Sequence, residues 1–338
     1  MSADIDVLVV GGGHGGLGVA ARLLDRGREP LVVDEHARIG DPWRERWASL
    51  RLFTPRFVNG LPGMRFPEGR DPFPARDEVA EFHERYAAWR RIPLRLGARV
   101  SHVRPAGGVF EAIIAGELLR ARSVVVATGA HQTPRLPPFA TRLVGPRQLH
   151  SREYGGATID PGPVLVVGAR NSGAEIAAEL ARTHPVTLAV GSPTPYAPRR
   201  WRSPSWWRVA QLRSWALRGR IPPKILPWPL TVRTYVEVDV TRLGRDHTLT
   251  LAPRVVDAAG DAVRLADGSE TRPRTIVWAT GFRVDDTWLD VPQTEDGVRI
   301  GAHRRTPVPG LWIVREGLLA SLHWGALDVA SDLERSGR

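Results

Sequence analysis

Gly11, Gly13 and Gly16 stand at G-x-G-x-x-G spacing within Gly11-Gly12-Gly13-His14-Gly15-Gly16. Each place in such a run makes its own steric demand. The first glycine permits a tight strand-to-helix turn, the second lets a pyrophosphate approach the backbone, and the third lets the helix pack close to the strand. The helix N-terminus beyond the run offers free N–H groups and a partial positive charge to phosphates. About twenty residues further on stand Asp34 and Glu35, where a carboxylate accepts from ribose hydroxyls. A ligand-facing acid belongs at the carboxyl edge of a strand, which favours Asp34 and leaves Glu35 as the neighbouring alternative. The chemistry implied is dinucleotide binding.

A second constellation follows the same plan. Gly168 and Gly173 hold the outer places of Gly168-Ala169-Arg170-Asn171-Ser172-Gly173, with Arg170 in the middle place. A side chain there must point away, compete with a close pyrophosphate, or meet phosphate through its own guanidinium. Two apolar runs end in Ala-Thr-Gly, at Thr128-Gly129 and Thr280-Gly281. Ligands in open α/β sheets lie beyond the carboxyl ends of strands, so Thr128-Gly129 is expected near the same dinucleotide as Gly11 to Gly16. His83, alone on its helix, reads as a surface or core residue rather than a ligand, and His150 is either a functional group or, at least as readily, a linker histidine making a structural hydrogen bond.

The elements that must position these residues are legible as two βαβ units. In the first, Ile5 to Val10 reads as a buried strand, Leu17 to Arg26 as a helix capped near Gly27, and Pro30 to Val33 as the next strand. In the second, Pro163 to Val167, Ala174 to Arg182 and Val186 to Val190 repeat that order, an internal duplication. Between them lie a long Pro-punctuated loop from Ala37 to Pro74, a helix from Asp77 to Arg91 with Asp77 at its N-cap, and short antiparallel strands at 100–103, 109–114 and 117–120. Ser123 to Ala127 reads as a separate buried strand, and 134–154 as a Pro-rich connector. Arg254 to Asp267 reads as a hairpin turning at Ala258 to Asp261. Thr275 to Ala279 and Pro309 to Val314 read as strands, and a helix is expected from Gly325 toward Arg335.

The chain of 338 residues is long enough for two domains with their own cores. It has no cysteine, which excludes disulfide exchange, a catalytic thiol, iron–sulfur clusters and thiolate zinc. No apolar run is long enough to cross a bilayer, and a first strand beginning by Ile5 leaves no span for a leader peptide, so cytoplasm is the expected compartment. The formal charge of +11 rests on 47 basic and 36 acidic residues, with Lys224 the only lysine. From Leu180 to Val236 no acid occurs, while Trp201, Trp206, Trp207, Trp215 and Trp228 are interleaved with arginines. An amphipathic helix over about 205–218 explains that pattern better than a nucleic-acid surface.

The two nucleotide folds, the paired Ala-Thr-Gly strand ends and the late return to the first domain resemble the two-dinucleotide-binding-domain flavoproteins. The layout is most similar to their flavin-containing monooxygenase-like branch of NAD(P)/FAD-dependent oxidoreductases. The resemblance implies an α/β fold with two Rossmann-like domains, the second inserted into the first: an FAD domain over 1–155 and 275–338, and an NAD(P)H domain over 156–274. It assigns Gly11, Gly13, Gly16 and Asp34 to the ADP part of FAD. Ile39 to Arg44, with Trp43, and Leu50 to Pro55, with Arg51, resemble the family's flavin-proximal loop. Thr128-Gly129 and Thr280-Gly281 match its strand ends, and Asn171-Ser172-Gly173 resembles the turn that meets NADPH. Leu143-Val144-Gly145, His150 and Tyr154 stand where ketone-oxidising members carry F-x-G-x-x-x-H-x-x-x-W, with one extra residue before the histidine and Tyr in place of Trp. This places the chain nearer the heteroatom-oxygenating branch. It departs from the family pattern at Arg170, at Gly191 where an arginine often follows the strand, and at Arg315-Glu316.

The activity so implied is an NAD(P)H-driven monooxygenase using FAD, with NADPH or NADH as donor, and passing oxygen from a peroxyflavin to N or S of a small organic substrate. No protein acid or base is nominated. A flavin oxidase or reductase with a weakened nicotinamide site, and a non-catalytic flavoprotein, are the alternatives. O₂ and a small molecule are the expected partners. Metal and a membrane span are not expected, nucleic acid is disfavoured, and an oligomer is compatible with the sequence.

Overall fold

The computed structural model describes residues 4–192, 238–245, 249–294, 297–300, 304–315 and 329–333. The expected helix over 205–218, the surrounding Trp/Arg stretch, Glu316 and most of the expected last helix lie outside the described residues. The chain divides into two compact units. One is Met1–Arg44, Thr54–Thr133 and Phe282–Arg338; the other is Glu45–Phe53 and Pro134–Gly281.

In chain order the elements are β1 (Ile5–Val10), α1 (His14–Leu24), β2 (Pro30–Val33), α2 (Asp41–Arg44), α3 (Arg76–Trp89), β3 (Leu94–Arg95), β4 (Val100–Ala106), β5 (Val109–Ile114) and β6 (Glu117–Val126). There follow β7 (Thr133–Pro134), β8 (Arg147–His150), β9 (Val164–Val167), α4 (Asn171–Leu180), β10 (Val186–Val190), α5 (Val240–Arg245), β11 (Thr250–Pro253), β12 (Val255–Ala259), β13 (Ala262–Leu265), β14 (Glu270–Thr271), β15 (Thr275–Trp278), β16 (Phe282–Arg283) and β17 (Leu311–Ile313).

The first unit is built on a sheet of order β3-β2-β1-β6-β5-β4, with β17 also on β6. β1 lies parallel between β2 and the second half of β6. Its Val7, Leu8 and Val9 are fully buried, as a strand covered on both faces requires. β6 is one strand where the sequence suggested two. Residues 117–121 pair antiparallel with β5, and residues 124–126 pair parallel with β17. The burial pattern changes along the strand from half-exposed to fully buried, so its periodicity changes without a break in the backbone. Leu8, Val103, Phe110, Ile114, Val124, Leu311 and Ile313 fill one side of the core.

The second unit has a parallel sheet of order β11-β10-β9-β15-β8 and a three-stranded sheet β12-β13-β14. β8 comes from the stretch read as a connector. It pairs with β15 in register from Thr275↔Arg147 to Trp278↔His150, so the unit begins at Pro134 and runs through Gly281. Trp278, fully buried, packs with Leu165, Ile276 and Val263. Segment 45–53 also belongs to this unit because α4 grips it. Trp47 Nε1 donates to Glu175 at 3.2 Å, the Ser49 hydroxyl donates to Glu179, and the Tyr154 hydroxyl donates to the same carboxylate at 2.9 Å.

Three helix starts differ from expectation. α1 begins at His14 rather than Leu17, and α4 at Asn171 rather than Ala174. The low helix propensity of glycine, and of Asn and Ser at the second turn, hides a first turn that tertiary packing sets. α3 begins at Arg76, and Asp77 is not its cap; Glu78 accepts from the Ala75 N–H at 2.8 Å.

Candidate functional site

The two glycine turns are built alike. Gly11 and Gly168 adopt φ of +109° and +105°, a region closed to most L residues. A β-carbon on Gly11 would meet the Ala127 carbonyl oxygen at 2.5 Å, and one on Gly168 the Ala279 oxygen at 2.6 Å. A β-carbon on Gly16 would collide with the Gly11 carbonyl, and one on Gly173 with the Gly168 carbonyl. The first glycine of each run is therefore required by close approach to the end of a neighbouring strand, and the last by contact of the helix with the turn itself. The middle places share one backbone conformation, φ −79° and ψ −172° at Gly13 and φ −81° and ψ −176° at Arg170. Each is the residue before the first helical turn. A β-carbon at Gly13 would have nothing within 4 Å, so the glycine leaves open the space in front of the α1 N-terminus. That open cradle fits a pyrophosphate. At the second turn, Arg170 is exposed; its carbonyl accepts from Ala174 N at 2.8 Å, and its guanidinium has no hydrogen-bond or ion-pair partner among the described residues.

Asp34 closes the first turn. Its Oδ2 accepts from the Gly12 N–H at 2.6 Å, and its Oδ1 faces the His36 N–H and Nδ1 at 2.9 and 2.8 Å. Burial pushes the carboxyl up, but these hydrogen bonds outweigh it and hold the group below the usual carboxylate range. It is thus an ionised acceptor at the β2 edge. Glu35 is exposed, with Arg99 Nε at 4.0 Å, and makes no hydrogen bond to the turn among the described residues.

Thr128-Gly129 follows β6 and lies at the same sheet edge as Gly11. Gln132, which the sequence reading missed, donates to Thr128 Oγ1 at 2.8 Å and to the Gly129 carbonyl at 2.7 Å. Its own oxygen accepts from the Asp285 N–H at 2.7 Å. An amide four residues past Thr128 and three past Gly129 carries no signal by itself. Beside Thr128, Val314 N donates to Val126 O, and the next residue is Arg315. Arg315 is buried and pairs with buried Asp286 through two contacts of 2.8 Å. The departure at 315 therefore places a compensated cation at this edge.

In the second unit the Thr280 hydroxyl donates to the Arg135 carbonyl. The Gly281 carbonyl accepts from Arg135 N and from His150 Nε2, both at 3.0 Å. Arg152 N donates to His150 Nδ1 at 3.2 Å, so the proton sits on Nε2. Burial lowers the pKa of this imidazole. It is a neutral clasp between β8 and the end of β15. At the second turn Asn171, Ser172 and Gly173 begin α4, and among the described residues Asn171 Oδ1 is buried without a hydrogen-bond partner, a polar atom that a ligand donor would satisfy. Trp43 is half-buried in the first unit and Arg51 half-buried in the second.

A further pair was read as a lone histidine. His83 on α3 is buried, and its Nε2 lies 3.1 Å from Nδ1 of His14, the first residue of α1. Among the described residues no group of His, Asp or Glu is placed to hold a metal ion, and no helix is long and apolar enough to cross a membrane.

Residues 8–207 match the model of the family described as pyridine nucleotide-disulphide oxidoreductase. A CzcO-like uncharacterized oxidoreductase of Geobacillus kaustophilus is 32% identical over 321 residues, covering 93% of this chain and 91% of its own. The indole-3-pyruvate monooxygenase YUCCA1 of Oryza sativa subsp. japonica is 31% identical over 376 residues, covering 96% and 90%. A flavin-containing monooxygenase from Stenotrophomonas maltophilia shares the fold at a TM-score of 0.81 and 24% identity, over 100% of both chains. A bacillithiol disulfide reductase from Staphylococcus aureus does so at 0.74 and 15%, again over 100% of both.

Proposed function

The chain belongs to the pyridine nucleotide-disulphide oxidoreductase family, and on that premise we propose that it is an FAD-dependent monooxygenase driven by a nicotinamide nucleotide. Its substrate is a small organic molecule oxygenated at a soft nitrogen or sulfur. The disulfide chemistry in the family's description has no counterpart here, because the chain has no cysteine. The likeness is to the nucleotide-binding architecture, and the monooxygenases among its relatives support the oxygenating branch.

The open cradle at Gly13, ringed by the required glycines and by ionised Asp34, carries the reading. In the first unit the α1 N-terminus and the Gly11–Gly16 turn hold the FAD pyrophosphate, Asp34 accepts from the adenosine ribose, and Thr128-Gly129 lines the same edge. In the second unit Gly168, Asn171, Ser172 and Gly173 offer the α4 N-terminus to the nicotinamide nucleotide, with Arg170 at its phosphates. Bound flavin supplies the redox chemistry, taking hydride from the nicotinamide and activating O₂. The protein's share is to bind, orient and exclude water, and no acid or base of the chain is assigned to a proton transfer.

The test is a bound-ligand analysis of the purified protein, followed by anaerobic NADPH and NADH titration and then admission of labelled O₂ with candidate amines and thioethers. FAD that bleaches with a nicotinamide nucleotide, and label in the product, are expected. Bound flavin that neither nucleotide reduces sinks the monooxygenase reading. Reduction with peroxide but no labelled product favours a flavin oxidase or reductase, the second reading that Arg170 in the glycine place supports.

A further inference from the structure

The adenosine end of the second unit differs from that of the first in a way that bears on which nicotinamide nucleotide it takes. Gly11 N donates to Val33 O at 2.8 Å, and Gly168 N donates to Ala189 O at 3.0 Å. Strand registers agree, with Val10↔Val33 in one unit and Val167↔Ala189 in the other. Val190 is therefore the counterpart of Asp34, and Gly191 of Glu35. Where the first unit presents a carboxylate to a ribose, the second presents no acid.

A cation stands there instead, supplied by the neighbouring strand. β11 runs parallel to β10 with Val190↔Pro253 in register, so Arg254 leaves the sheet beside Gly191. Its Nη2 donates to the Gly191 carbonyl at 3.2 Å. Arg254 is exposed and has no carboxylate partner among the described residues. Nearby Asp257 is held by Arg142 and Arg264. Among the described residues a β-carbon on Gly191 would have nothing within 4 Å, so none of them fills the ground beside the guanidinium.

An acid at the end of the second strand accepts from a free ribose 2′-hydroxyl and repels a 2′-phosphate, whereas a neutral residue with an arginine nearby accommodates that phosphate. A guanidinium fork matches phosphate oxygens bidentately. We propose that Arg254 is the specificity-determining residue that holds the adenosine 2′-phosphate, so that the chain selects NADPH over NADH through a cation on β11 rather than one following β10. This rests on the reading of the second unit as the nicotinamide-nucleotide unit.

The experiment measures dissociation constants of NADP⁺, NAD⁺, 2′,5′-ADP and 5′-AMP by calorimetry on the flavin-loaded protein and its Arg254→Ala and Arg254→Lys variants. The wild type is expected to favour NADP⁺ and 2′,5′-ADP. Arg254→Ala should lose about 10- to 100-fold for those two ligands, the scale of a charge-assisted contact, and stay within about twofold for NAD⁺ and 5′-AMP. Arg254→Lys should recover part of the loss. Equal losses for all four ligands, or a wild type that binds NAD⁺ as tightly as NADP⁺, overturn the role of Arg254 while the nucleotide reading of the unit stands. A wild type that binds none of the four overturns both.

Discussion

His14 Nδ1 and His83 Nε2 lie 3.1 Å apart, joining the first turn of α1 to the middle of α3 with both imidazoles buried. One nitrogen must donate and the other accept, so this contact is made with both rings neutral. Burial drives the His83 pKa from 6.5 down to about 4. The folded state therefore refuses a proton that the unfolded chain accepts. Stability from this group is fully present above about 6.5 and is lost as pH falls from there toward 4, by up to about 3 kcal/mol. Denaturant midpoints of the wild type should fall across that window. His83→Gln, which keeps a donor and an acceptor but does not titrate, should flatten it. An unchanged slope would assign the acid sensitivity elsewhere.

The glycines of the first turn should separate folding from binding. Gly16→Ala drives a β-carbon into the Gly11 carbonyl and should cost several kcal/mol, read as a large drop in the melting temperature of the flavin-free protein. Gly13→Ala meets none of the described residues and should leave that temperature nearly unchanged while weakening FAD binding by about tenfold or more, read by flavin fluorescence. Equal effects of the two substitutions would contradict the open cradle.

Arg170 should act on both nicotinamide nucleotides alike, in contrast to the selectivity assigned to Arg254. An exposed guanidinium in the middle place of the second turn would add one charge-assisted bond to a bound pyrophosphate, worth about 1.5–3 kcal/mol. Arg170→Ala should raise the dissociation constants of NADP⁺ and NAD⁺ about equally, by roughly tenfold. Tighter binding after the substitution would show that Arg170 obstructs the turn.

The buried pair Arg315–Asp286 should behave as a unit. Arg315→Met leaves the Asp286 carboxylate uncompensated in the core and should destabilise the chain by about 3–5 kcal/mol. Adding Asp286→Asn should recover a large part of that loss. Urea unfolding of the two single variants and the double variant gives the coupling, and additive losses would refute it.

What the sequence determined by itself is local and backbone-driven. A strand, a glycine run, a helix and a strand closing on an acid can be read from one short stretch, because Gly16 and Gly173 answer a clash with the Gly11 and Gly168 carbonyls of their own βαβ unit. The repeat of the unit is visible as a repeat of letters, whereas the carbonyls that confine Gly11 and Gly168, those of Ala127 and Ala279, come from strands distant in the chain. Tertiary structure decided what depends on register and on partners distant in the chain. His14 finds His83 across 69 positions, and Trp47 finds Glu175 across 128. Gln132 clasps Thr128 only because the chain turns back beyond β6. Arg254 stands beside Gly191 because β10 and β11 pair in parallel, one register step from Val190↔Pro253. No spacing rule encodes such meetings, since the intervening chain can take any length once the two strands share a sheet.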